Sequence, residues 1–235
     1  MRQFPEGSDG SNPIIQHPAV PYVAPFATFA VFIGLAQWLP VSPALLYPIR
    51  VAVVGAVLVI CSRHLASFRA TEWVRSMMIG IAVFVVWVAP DALWPAYRGH
   101  WLFDNFLVGS AKSSVPHDVK DNLPFIALRV FGSVGLVPIF EELFWRGWVM
   151  RWLIRPENFD SVRLGTYTHF SFWLTAIMFA AEHGSYWEVG LFAGIVYNWW
   201  MIRTGSLADC MVAHAVTNGL LAAYVLYSGH WEYWL

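Results

Sequence analysis

The sequence predicts an all-α fold, a polytopic integral membrane bundle of about seven transmembrane helices. Three observations predict it. The 235-residue chain is 58% hydrophobic and only 12% charged, about half the charged share of an ordinary soluble domain. Its mean hydropathy is +0.53. Its 14 Trp and 17 Phe form the aromatic bias of side chains placed at lipid–water boundaries.

The elements follow in chain order. Residues 1–21 are polar and rich in Gly, Pro and Ser. They lack the basic start and apolar core of a signal peptide and read as a disordered tail before a transmembrane domain over 22–235. A spanning helix needs roughly 20 mainly apolar residues. Candidates fall at about 22–39, 45–61, 74–95, 125–150, 170–187, 187–203 and 206–228. Only "GSYWE" separates the fifth from the sixth, which blurs their boundary. Pro40, Pro43, Pro95 and Pro124 sit near span ends, where proline removes no needed hydrogen bond. The long loop 96–122 mixes Trp101, Phe103 and Phe106 with Asp and Lys, and reads equally as an interfacial lid or a plain connector.

Basic residues in the short loops set orientation. Seven alternating spans put Arg2, Arg63, Arg69, Arg151, Arg155, Arg163 and Arg203 on one side. That side is expected to be cytoplasmic, with the amino terminus inside and the carboxyl terminus outside, in what reads as a bacterial cytoplasmic membrane. A net charge of −1 without a basic run gives no reason to expect nucleic acid as a partner. Cys61 and Cys210 lie far apart in apolar stretches and read as small buried hydrophobes.

Ionisable residues inside spans are costly and usually face the bundle interior or a water-filled cavity. Here they gather in the later spans: Glu141, Glu142 and Arg146, then Glu182 and His183, then His214 with Asn218. Glu142 and Arg146 are four apart with the acid first, the order that suits an intrahelical ion pair. Glu141 is rotated roughly 100° away and has Trp145 as its i+4 neighbour. Phe179 and His183 share a helix face, as do His214 and Asn218. At a rise of about 1.5 Å per residue, Glu141, His183, His214 and Asn218 fall roughly 15, 21, 14 and 20 Å from the cytoplasmic ends of their helices. They could meet in one central layer. A carboxylate with an imidazole could activate water for attack on a carbonyl, while a second imidazole and an amide held the oxyanion. Glu141, His183 and His214 are equally ligand types for zinc with an open fourth position.

The arrangement resembles the type II CAAX prenyl endopeptidases and their bacterial relatives, the CPBP or ABI family of intramembrane proteases. That family carries EExxxR, FxxxH and HxxxN or HxxxD on successive helices. This chain reads "EELFWR" (Glu141 to Arg146), "FAAEH" (Phe179 to His183) and "HAVTN" (His214 to Asn218). The resemblance covers about 125–225, the expected catalytic core. It implies that Glu141 activates water with help from His183, that His214 and Asn218 form the oxyanion site, and that Glu142, Arg146 and Phe179 brace the site or meet substrate. It implies a metal-free mechanism that requires no cofactor, with Zn2+ as the alternative. Glu182, where many relatives carry a small or neutral residue, is a departure. The expected partners are membrane lipids and a protein or peptide substrate, lipidated or membrane-anchored substrates included. A non-catalytic membrane scaffold that kept the polar core for helix packing is the rival reading. HExxH, GxSG and GxGD protease signatures are missing from the sequence. Asp91 and Asp209, near span ends, read as solvated or capping.

Overall fold

The computed structural model describes residues 17–36, 38–65, 69–94 and 96–234, and these residues form helices joined by turns, as expected. Residues 1–16, most of the expected tail, lie outside them, as does Pro95. The helices are α1 (Val20–Ala36), α2 (Pro43–Ser62), α3 (Trp73–Leu93), α4 (Leu123–Trp152), α5 (His169–Ala181), α6 (Trp187–Thr204) and α7 (Leu207–Ser228). By length and apolar composition α2, α3, α4 and α7 can each cross a membrane, whereas α1 and α5 are apolar but shorter. The expectation of seven full spans is therefore met on length by four helices among the described residues.

α1 begins at Val20, two residues inside the expected tail. Proline opens α2 at Pro43 and stands second in α4 at Pro124, where the missing N–H is unneeded. Asn122 caps α4 by accepting from Phe125 N, Thr168 caps α5 by accepting from Ser171 N, and Ser206 caps α7 by accepting from Asp209 N. Gly205 and Gly229, both at positive φ, close α6 and α7, the usual use of glycine at a helix end.

α3 and α7 run parallel, joined at their starts by Asp209. This buried carboxylate accepts Thr71 N at 3.3 Å, Thr71 Oγ1 at 2.9 Å, Glu72 N at 2.8 Å and Ser76 Oγ at 3.3 Å. Of the two roles expected for Asp209, solvation gives way to capping, and the helix capped is a neighbour's. Further along, Thr217 Oγ1 donates to the Gly80 carbonyl at 2.9 Å, which only a glycine at 80 allows the helices to approach closely enough to do.

α4 is not a uniform α-helix. Gly132–Leu136 and Leu143–Val149 are π-helical, with an α-helical Val137–Glu142 between them. Short π segments inside α-helices are frequent at functional sites. They also free backbone carbonyls for side chains: Ser133 O accepts from Asn218 Nδ2 at 2.8 Å, and Gly147 O accepts from Arg151 Nε at 2.5 Å.

The loop over 96–122 is held by a partly buried cation. Arg98 pairs with Asp91 at 2.9 Å and Glu188 at 2.7 Å, and its Nη1 donates to Ser185 O at 2.6 Å. Tyr233 OH donates to Asp91 at 2.8 Å. The C-terminal segment thereby joins the loop over one end of the bundle.

Candidate active site

Glu141 and Glu142 occupy the α-helical turn between the two π segments and are both buried. Their neighbours come from α5, α6 and α7, so the site exists only when these helices are packed together. Glu142 accepts Arg146 Nη1 at 3.1 Å, with both side chains fully buried. Arg146 Nε donates to Asn198 Oδ1 of α6 at 3.0 Å, and Asn198 Nδ2 donates to Phe172 O of α5 at 2.9 Å. A charge in this setting is tolerable only with partners on several sides. Phe179 packs beneath the guanidinium, whose carbon is 4.4 Å from the ring centre.

His214 stands between the two carboxylates. Its Nδ1 is 2.9 Å from Glu142 Oε1, and its Nε2 is 3.9 Å from Glu141 Oε2. Because Glu142 also pairs with Arg146, it is assigned as the acceptor, which puts a proton on Nδ1 of His214. The Tyr197 ring stacks on the imidazole at 5.3 Å, and the Tyr197 hydroxyl donates to Thr217 at 2.7 Å. Glu141 Oε2 is buried and accepts no hydrogen bond among the described residues. Glu142 Oε2 is likewise without a partner among the described residues, but of the two acids Glu141 is the one that lines a cavity.

The sequence placed His183 within the fifth helix. It lies instead in the turn after α5, which ends at Ala181. The reversal at Gly184, with φ of +52°, stops the helix there, and the His183 ring takes over the work of a cap. Its Nδ1 lies 2.7 Å from Phe179 O. A carbonyl only accepts, so the proton sits on Nδ1 and a neutral ring keeps a lone pair on Nε2. Glu182 turns out to the bundle surface, where it accepts Trp145 Nε1 at 2.9 Å.

Glu141, His183, His214 and Asn218 line one cavity of about 210 Å³. Glu142, Arg146 and Phe179 stand behind that wall. Among the described residues no three His, Cys, Asp or Glu side chains are grouped as a metal site needs. The Nδ1 of each histidine is engaged, by Phe179 O for His183 and by Glu142 for His214, which leaves Nε2 of each ring as its remaining polar atom.

Several residues of the site escape a reading by motif. Asn198 is a carboxamide within an apolar span, a signal of a buried polar contact that names no partner. Arg129, buried in the first turns of α4, and Arg50 of α2 also line the cavity. So does Tyr186, whose buried hydroxyl has no partner among the described residues.

Neither the curated proteins nor the solved structures contain a match to this chain. The family model described as type II CAAX prenyl endopeptidase Rce1-like matches residues 123–220. The family is one of proteases, and its membrane setting agrees with the long apolar helices. From the start of α4 to two residues past Asn218, the chain is similar to the Rce1-like type II CAAX prenyl endopeptidases.

Proposed function

We propose that this protein is an intramembrane endopeptidase that hydrolyses a peptide bond near the membrane plane, using water activated by Glu141. The observation that carries the reading is the shared cavity of Glu141, His183, His214 and Asn218. Water held between Glu141 and the Nε2 lone pair of His183 gives up a proton to the carboxylate. Its oxygen adds to the substrate carbonyl carbon, and the carbonyl electrons move to oxygen. The Asn218 amide offers a hydrogen bond to that oxyanion, as does Nε2–H of His214 when the ring is charged. When the C–N bond breaks, Glu141 returns its proton to the departing amine. The products are one carboxylic acid and one amine, with the enzyme as it began. No step requires a cofactor.

In this reading Glu142 and Arg146 are positioning residues. Glu142 holds His214 by Nδ1, and Arg146 holds Glu142. The setting is the bacterial cytoplasmic membrane, amino terminus inside, as the arginine distribution argues. The substrate is a membrane-anchored or lipidated protein or peptide.

The test compares peptide termini in native-host membranes containing wild-type protein or Glu141→Gln at equal abundance. Termini present with wild type and absent with Glu141→Gln support the protease and name the bond. Identical termini from two equally folded proteins overturn it in favour of the scaffold.

A further inference from the structure

One end of the cavity is closed by the chain's own C-terminal segment. Residues 230–234 follow α7, which ends at Gly229. Tyr233 and Trp234 line the cavity that Glu141, His183 and Asn218 line. These two neighbours are tied to different elements. Tyr233 OH donates to Asp91 Oδ2 of α3 at 2.8 Å. The Trp234 carbonyl accepts Ser114 N at 2.8 Å and Ser114 Oγ at 2.9 Å, both from the approach to α4. The segment therefore bridges α3 and the approach to α4 as a strap over the cavity.

The strap is built to come away. Its anchor is the buried Trp234 ring, which joins an apolar cluster with Val119, Phe125 and Val225. Among the described residues, the three hydrogen bonds to Asp91 and Ser114 are all that tie residues 230–234 to elements beyond α7. Gly229 at its base has φ of +75°, and a Cβ there would meet nothing within 4 Å. Such a joint absorbs a change of backbone direction without a clash. Segments with so few bonds open locally, far below the cost of unfolding the whole.

What lies under the strap suits a peptide. Both donors of Ser114, its N–H and its hydroxyl, point at one main-chain carbonyl. Main-chain pairing of this kind is how a protein takes up an added peptide segment, and the carbonyl of any residue can satisfy it. Resting on the protease reading, we propose that residues 230–234 are an autoinhibitory strap lying where the substrate peptide enters. The peptide displaces them to reach Glu141, and Ser114 passes from the Trp234 carbonyl to a carbonyl of the substrate. A permanent cap is the rival arrangement, and the glycine joint and sparse bonding favour the strap.

The experiment uses the full chain in phosphatidylcholine nanodiscs. Cys61→Ala removes the half-buried thiol, and Leu221→Cys places one on the cavity wall. Cys210, about three turns earlier on α7 and fully buried, stays as the internal control. The probe is a positively charged methanethiosulfonate, which reaches thiols through water, and peptide mass spectrometry follows each cysteine separately. Tyr233→Phe removes one hydrogen bond to a carboxylate and should speed labelling at position 221 about tenfold, with Cys210 unchanged. Trp234→Gly should speed it at least as much. A synthetic amidated peptide of residues 230–234, at the millimolar concentration a short tether supplies, should slow labelling of the Tyr233→Phe protein again. A scrambled peptide should not. Unchanged labelling in both variants overturns the strap, as does equal acceleration at Cys210, the mark of general loosening. A native-order peptide no better than its scramble overturns the shared peptide site. Labelling does not depend on cleavage, so this result stands apart from that of the termini comparison.

Discussion

His214 Nδ1 lies 2.9 Å from Glu142 Oε1, and the same oxygen is 3.1 Å from Arg146 Nη1. One carboxylate oxygen thus fixes a histidine on a different helix. Breaking a buried pair by removing one partner costs about 3–5 kcal/mol, because the other charge stays behind. Glu142→Gln should therefore lower the unfolding temperature sharply and abolish cleavage. Glu142→Gln with Arg146→Met should be less destabilised than the sum of the single changes. Additivity within about 0.5 kcal/mol in the double-mutant cycle would show that the pair is not coupled.

Asn198 is the only side chain seen to bond Arg146 Nε among the described residues, and it also donates to the Phe172 carbonyl. Asn198→Leu leaves both groups buried without these partners, at a cost of about 1–3 kcal/mol each. Thermal unfolding should show the loss, and cleavage should fall with it. Asn198→Asp keeps an acceptor for the arginine and should retain more of both. Equal damage from the two substitutions would count against the bond to Arg146.

A Cβ at Gly80 would collide with the Ala213 carbonyl and the Val216 side chain, whereas one at Gly34 meets nothing within 4 Å. The Ala213 carbonyl is helix backbone and cannot turn aside. Gly80→Ala should therefore push α3 from α7 and cost about 1–3 kcal/mol, the range for overpacking. Gly34→Ala should be neutral or gain up to about 1 kcal/mol from helix propensity. Melting curves in one detergent compare the two directly, and a neutral Gly80→Ala would refute the close approach.

The helical class was open to sequence reasoning because apolar runs and charge scarcity are properties of composition. The pairing of Glu142 with Arg146 was legible because an i,i+4 relation needs only one helix. What lay beyond reach depended on partners far apart in the chain. Asn198 bonds a residue fifty-two positions earlier, and a lone Asn in an apolar span announces no direction. Asp209 looked like a terminal acid because its four donors belong to α3 and the approach to it. His183 falls beyond its helix although the apolar run continues through Ala181, because the stop depends on the φ of Gly184. The π turns of α4 are a matter of backbone hydrogen-bond register, which side-chain periodicity does not encode.

α4 carries Arg129, Glu141, Glu142, Arg146 and Arg151 in thirty residues. A charge at the centre of an inserting helix costs about 2.5–3.5 kcal/mol on the biological scale. Ribosomal synthesis brings α4 out before Asn198 and His214 exist, so the helix meets lipid ahead of two of the groups that hydrogen-bond its charges. Only its own Glu142–Arg146 pair is available from the start. Membrane integration of this segment is therefore completed by α6 and α7, and a nascent chain stalled before α7 exposes an unsheltered acid to the insertion machinery and its quality control.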